Sequence, residues 1–254
     1  MKSSDLVVRF AGEAGAGFLT LADMLARSSA QSGYHALTFA TFPSQIMGGP
    51  TWMQAHISTN PVLSAGDDLD VLVALNEYAY ETHYEEIRSG GVLIHDSSFQ
   101  TPDNGRSLAI PVSELAKQAG LARAGNMVLI GALAHVLALP LNQFEKYVSD
   151  KFHGRDEIIT PNIKALNLGF EHAAKTPLKI DNLPPPETPD DNQMFVKGND
   201  ALCLGALAAN VDFYVGYPIS PSSSILIFME SKLVGPEKFA YQATSEIESI
   251  TSVL

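Results

Sequence analysis

The sequence has 254 residues, 46% of them apolar and 17% charged, which suits one large globular domain or two smaller ones. A net charge of −12 opposes binding to nucleic acid or to an anionic membrane face, because phosphate repels it. The single cysteine, Cys203, excludes an internal disulfide framework and falls short of the roughly four thiolates that an iron–sulfur cluster requires.

The first residues, Met1-Lys2-Ser3-Ser4-Asp5, run directly into a strand-like stretch at 6–10 with no signal-peptide apolar core. The longest nearly apolar run, 127–141, carries His135, meets Pro140 and is too short to cross a bilayer. Together these features predict a cytoplasmic protein. After the first strand comes Gly12-Glu13-Ala14-Gly15-Ala16-Gly17, and then a helical period over 19–32. A strand, a glycine turn and a helix N-terminus can present backbone N–H groups to an anion. The same turn equally serves close helix–strand packing. The spacing is Gly-x-x-Gly-x-Gly, and the next strand, 35–40, ends without the acid that would hold a ribose, so a dinucleotide site is not indicated.

Next comes Phe42-Pro43-Ser44-Gln45-Ile46-Met47-Gly48-Gly49-Pro50, a shaped loop with exposed backbone donors or simply a connection. Strands are predicted at 53–57, at 70–75 (buried on both faces) and at 92–95. A helix over 78–88 is expected to stop at Gly90-Gly91. Helices then follow over 113–120, 126–139 and 142–151. Strands alternating with helices predict an α/β fold with a mainly parallel sheet covered on both sides. The seven histidines form no metal-ligand spacing, and His135 reads as a hydrogen-bonded core residue.

Residues 179–193 hold four prolines and four acids, leaving little to bury, and read as a linker. Beyond it a second α/β segment is expected: a helix over 199–209, a strand over 212–217, a helix over 225–233, a strand over 239–242 and a helix starting near Thr244. Between its first strand and the following helix lies Tyr217-Pro218-Ile219-Ser220-Pro221-Ser222-Ser223-Ser224. Two prolines fix φ twice in four residues and hold Ser220 between them, where α/β sheets bind ligands. Ser222–Ser224 suit helix capping.

In this order the motifs resemble the 2-oxoacid:ferredoxin oxidoreductases. Gly198-Asn199-Asp200-Ala201 and Tyr217-Pro218-Ile219-Ser220-Pro221-Ser222 are similar to the opening of the family's α-domain. The glycine loop, Tyr34-His35, Pro43-Ser44-Gln45 with Gly48-Gly49, Asp70 to Asn76 and Asn126 to Ala132 are similar to its γ-domain. A γ-like domain ahead of an α-like one resembles the large subunit of the two-subunit type, most often acting on 2-oxoglutarate. The resemblance implies a γ-type domain over 1–178, a linker over 179–195, and the first part of a thiamine-diphosphate (pyrimidine-type) α/β domain over 196–254.

It also implies CoA-dependent oxidative decarboxylation with electrons passed to ferredoxin. Thiamine diphosphate would lie near Tyr217, Pro218 and Ile219. Glu246 would bond its pyrimidine, Ser220 would meet the substrate, and Glu248 would lie on the helix surface. CoA would lie near Gly12, Gly15, Gly17, Gly48 and Gly49. Mg2+ and a [4Fe-4S] cluster would belong to a β subunit in an (αβ)2 assembly. The family loop usually carries threonine where this chain has Ser220, which keeps the hydroxyl and loses a methyl. A pyruvate, indolepyruvate or branched-chain 2-oxoacid enzyme, or a non-catalytic CoA- or nucleotide-binding module, are the alternatives.

Overall fold

A computed structural model describes residues 5–13, 18–41, 50–101, 105–180, 183–186 and 194–254. The chain divides into two compact units, Met1–Gln193 and Met194–Leu254.

The first unit runs β1 (Asp5–Glu13), α1 (Phe18–Gln31), β2 (His35–Ala40), β3 (Pro50–Ser58), β4 (Leu69–Ala74), α2 (Glu77–His83), a 3-10 turn (Tyr84–Glu86), β5 (Ile87–Asp96), β6 (Ser107–Ile110), α3 (Val112–Ala119), α4 (Gly125–Val136), α5 (Leu141–Lys151) and α6 (Asp156–Ala173). Its six strands form one sheet in the order β2-β3-β1-β4-β5-β6. The β1, β4, β5 and β6 neighbours pair in parallel, whereas β3 pairs antiparallel to both β1 and β2. The expected α/β class with a mainly parallel sheet is therefore present. Every residue of β4 is buried, and Val7, Val8 and Phe10 of β1 are buried on alternate sides, so both faces of the central strands are covered.

Two departures have clear causes. The helix expected over 78–88 ends at His83, and Gly90-Gly91 lies inside β5 instead of stopping a helix. β5 advances from Ile87 to Val92 while β4 advances only from Leu69 to Val71, a bulge that Gly90 accommodates at φ +85°. A side chain at Gly91 would stand 3.0 Å from the Asp70 carbonyl and 2.5 Å from Ile87 Cγ2. Second, β6 and α6 have no counterpart among the predicted elements. α6 contains Pro161, a residue that ordinarily argues against a helix interior, yet α6 packs extensively on α4. α4 is buried almost all round, as a helix between other layers must be.

His135 of α4 meets Phe170 of α6 edge-on at 5.1 Å, and its Nε2 has no partner among the described residues. Burial, with the Lys179 charge, lowers its pKa despite a backbone hydrogen bond at Thr176. The proline-rich segment also begins by packing: Ile180 is buried, its N–H donates to the Val136 carbonyl at 3.0 Å, and Tyr34 donates its hydroxyl to the Pro184 carbonyl at 3.3 Å.

The second unit runs α7 (Gly198–Ala208), β7 (Phe213–Gly216), α8 (Ser223–Lys232), β8 (Val234–Gly235), β9 (Lys238–Gln242) and α9 (Glu246–Thr251). Its sheet has the order β7-β9-β8. Cys203, Met229 and Leu233 form its core, with Ala206, Leu207, Tyr214 and Phe228 packed against them. Burial raises the Cys203 thiol pKa, as does nearby Asp200.

Candidate functional site

β7 and β9 are parallel neighbours, with Val215 opposite Tyr241 and Gly216 opposite Gln242. Both end at the same edge of the sheet, where Ala243 N–H donates to the Gly216 carbonyl at 3.0 Å. At such a carboxyl edge the chain leaves its strands for helices, and α/β folds collect ligands there. Two segments emerge side by side: residues 217–222 from β7, leading to α8, and residues 243–245 from β9, leading to α9.

The first segment is a tight corner containing a cis Ser220–Pro221 peptide. Ile219 N–H donates to Tyr217 C=O at 2.9 Å, and the Ile219 carbonyl accepts from both Ser223 N–H at 3.1 Å and the Ser222 hydroxyl at 2.9 Å. The serines after Pro221 do not cap α8 through their side chains, contrary to expectation. Ser222 stands at the N-cap position but turns its hydroxyl back into the corner, and Ser224 Oγ lies 2.8 Å from Asn199 Nδ2. Ser220 is exposed and its hydroxyl has no partner among the described residues. Pro218 and Ile219 are exposed beside it, and Tyr217 is half-buried.

The second segment gives the two acids of α9 different surroundings. Ser245 is the N-cap of α9, and its hydroxyl accepts from Glu248 N–H at 3.1 Å. In return the Glu248 carboxylate accepts from Thr244 N–H at 2.6 Å, from the Thr244 hydroxyl at 2.5 Å and from the Tyr241 hydroxyl at 2.6 Å. This is a reciprocal cap extended to the strand. The Thr244 side chain, then Tyr241 and the Thr244 backbone, hold the Glu248 carboxyl down at about 2. Glu248 is therefore the anchor of the turn and not an idle surface acid. Glu246, in the first turn of the same helix, is exposed and has no partner among the described residues. The edge thus offers a carboxylate and a hydroxyl that no described residue engages, which suits proton holding and carbonyl or carboxylate recognition.

In the first unit, Gly12 lies within β1, where a side chain would press on Leu75 Cβ at 3.1 Å, so close packing is its observed role. Gly15, Gly17, Gly48 and Gly49 lie outside the described residues. A cavity of about 220 Å3 opens beside Gly12, lined by Thr41, Thr51, Trp52, Tyr78 and His83. Beneath the Trp52 ring, 4.1 Å from its centroid, lies the buried Arg9 guanidinium. Arg9 donates to Gln54 at 2.9 Å and to Glu86 at 2.6 Å, and its Nη1 lies 3.0 Å from His83 Nδ1. Burial pushes the Glu86 carboxyl up, but His83 and Arg9 outweigh it and hold the group below its usual range. This cluster was not foreseen; the only signal was an arginine inside an apolar strand. No cluster of three metal-ligating side chains occurs among the described residues.

Residues 7–172 match the pyruvate ferredoxin/flavodoxin oxidoreductase family. Among curated relatives, the chain is 30% identical over 66% of its length to ketoisovalerate oxidoreductase subunit VorA of Methanothermobacter marburgensis, covering 36% of that protein. It is 27% identical over 98% of its length to 2-oxoglutarate oxidoreductase subunit KorA of Mycobacterium tuberculosis, covering 44% of that protein. The chain thus spans less than half of these relatives. Among solved structures, 2-oxoglutarate:ferredoxin oxidoreductase from Magnetococcus marinus, with 2-oxoglutarate, coenzyme A and succinyl-CoA bound, matches 99% of this chain and 45% of its own at a TM-score of 0.89 and 32% identity. A keto/oxoacid ferredoxin oxidoreductase gamma subunit from Geobacter sulfurreducens shares the fold over 68% of this chain and 98% of its own, at a TM-score of 0.61 and 24% identity.

Proposed function

The chain belongs to the pyruvate ferredoxin/flavodoxin oxidoreductase family, and from that premise we propose that it is the γ–α fused subunit of a two-subunit 2-oxoacid:ferredoxin oxidoreductase acting on 2-oxoglutarate. Residues 1–178 form its γ-type, CoA-associated domain, 179–195 its linker, and 196–254 the first part of its α-type domain. One observation carries the reading. The Ser220 corner and the Glu246 helix leave the carboxyl ends of two adjacent parallel strands, each with an uncommitted polar group.

Bound thiamine diphosphate supplies the electron sink for decarboxylation. The protein's share is orientation and proton control. Glu246 accepts a hydrogen bond from the protonated pyrimidine nitrogen and so holds a proton there. Ser220 donates to the substrate's keto or carboxylate oxygen, and Tyr217, Pro218 and Ile219 wall that position. The overall balance is a 2-oxoacid and CoA giving the acyl-CoA, CO2, a proton and two electrons for ferredoxin. With one buried cysteine, the chain leaves the [4Fe-4S] cluster to a β subunit, which also holds Mg2+ and the diphosphate. The cavity beside Gly12 and Trp52 is assigned to CoA, together with Gly15, Gly17, Gly48 and Gly49. The apolar side chains that the second unit exposes, among them Leu202, Ile227, Val234, Ile247 and Ile250, call for cover by the rest of the α-type domain as well as by a partner. We assign the working complex to the cytoplasm.

The test is an assay of the complete complex against a panel of 2-oxoacids with CoA and a low-potential acceptor. Acceptor reduction coupled to succinyl-CoA formation from 2-oxoglutarate is expected. Failure of every 2-oxoacid in a complex loaded with thiamine diphosphate would sink the enzymatic reading and leave a binding module.

A further inference from the structure

The corner that carries Ser220 is tied to a second element by one side chain. Asn199, in the first turn of α7, directs its amide nitrogen at both the Pro221 carbonyl and Ser224 Oγ, each at 2.8 Å. Pro221 carries the carbonyl immediately after the cis peptide, and Ser224 lies in the first turn of α8, so one amide grips the corner and the helix it feeds. Among the described residues the corner's other hydrogen bonds are internal: Ile219 N–H donates to the Tyr217 carbonyl, and the Ile219 carbonyl accepts from Ser223 N–H and the Ser222 hydroxyl. They set its shape but not its place against the rest of the unit. Ser220 is exposed and has no partner among the described residues, so its hydroxyl stands wherever the corner stands.

We propose that Asn199 is a positioning residue that places the Ser220 hydroxyl by clamping the Pro221 carbonyl against α7. The proposal rests on the assignment of Ser220 to the substrate. The polarity of the clamp is fixed by its partner, because the Pro221 carbonyl can only accept. Aspartate at 199 has nearly the same shape but would set a carboxylate oxygen against that carbonyl, and the clamp would turn from attraction to repulsion.

The experiment measures Asn199→Asp, Ser220→Ala and the double variant in the complete complex, together with amide hydrogen exchange across residues 217–224. Asn199→Asp is expected to lower kcat/KM for the 2-oxoacid by about ten- to a hundredfold, the scale of a small misplacement at a reacting centre, while the KM for CoA holds. Exchange at the Ile219 and Ser223 amides should quicken. If Asn199 acts through Ser220, the double variant is no worse than Ser220→Ala alone. Multiplying losses would overturn the proposal, since Asn199 would then matter independently of the hydroxyl. A silent Ser220→Ala would instead remove the substrate role of Ser220. In that case unchanged exchange at Ile219 and Ser223 in Asn199→Asp would overturn the clamp as well, and quickened exchange would uphold it.

Discussion

The Tyr241 hydroxyl donates to the Glu248 carboxylate at 2.6 Å, joining the end of β9 to the first turn of α9, while Glu246 two residues earlier has no partner among the described residues. The two acids share a helix and a near-identical sequence context, but the fold gives one an internal task and leaves the other free for a ligand.

That difference sets the first prediction. Glu246→Gln in the complete complex keeps shape and loses basicity, and turnover should fall by roughly two to four orders of magnitude, the scale of lost acid–base assistance. Thiamine diphosphate should still bind. Exchange of the thiazolium C2 proton in deuterium oxide is the deciding measurement. Glu248→Gln should slow it far less, by loosening the turn. Fast exchange in Glu246→Gln with slow exchange in Glu248→Gln would reverse the two roles.

Glu248 also sets a pH window. Its carboxyl is held at about 2 by the Thr244 hydroxyl, Tyr241 and the Thr244 N–H, against an ordinary 4.5. A depressed folded pKa means that the stabilisation is fully present above the unfolded value and fades as pH falls from about 4.5 through about 2. Amide chemical shifts at Thr244 and Glu248 should therefore titrate with a midpoint near 2 and stay flat above pH 5. In Glu248→Gln that step should vanish. A wild-type midpoint near 4.5 would mean that the cap is not formed in solution.

Gly131 of α4 and Gly169 of α6 let those helices cross at backbone contact. A side chain at Gly131 would collide with the Leu166 carbonyl, and one at Gly169 with the Val128 carbonyl. Backbone cannot rotate away, so Gly131→Ala or Gly169→Ala should each destabilise the chain by about 1–3 kcal/mol or more in urea unfolding. Gly205→Ala, on an exposed face of α7 with nothing nearby, should be neutral or stabilising by up to about 1 kcal/mol. Equal effects at all three would refute the crossing argument.

The cavity beside Trp52 can be probed without disturbing its floor. Tyr78 lines it yet is 56% exposed, so Tyr78→Ala should cost little in folding. If CoA lies there, the apparent KM for CoA should rise about tenfold, near 1.4 kcal/mol of lost contact, and the KM for the 2-oxoacid should stay. Proportionate rises in both would mean that the cavity does not receive CoA.

Where one local signal dominates, the sequence was sufficient. The run over 70–75 reads as a strand buried on both faces, the uniformly apolar stretch around Ile130 as a buried helix, and the paired prolines around Ser220 as a stiff corner at a strand end, and each is found so. Elements that owe their form to distant neighbours were not legible. β3 runs antiparallel because of what lies beside it, Gly90-Gly91 becomes a bulge because β4 is shorter there, and α6 persists through Pro161 because Gly169 lets it lie on α4. At the site the division is the same. The sequence placed a serine and two glutamates near one sheet edge by counting along the chain. The family resemblance pointed to Glu246 over Glu248, but the hydrogen bonds that commit Glu248 to the turn and Asn199 to the corner beside the serine appear only in the tertiary structure, since a hydrogen bond depends on distance and direction, which spacing along a chain does not encode.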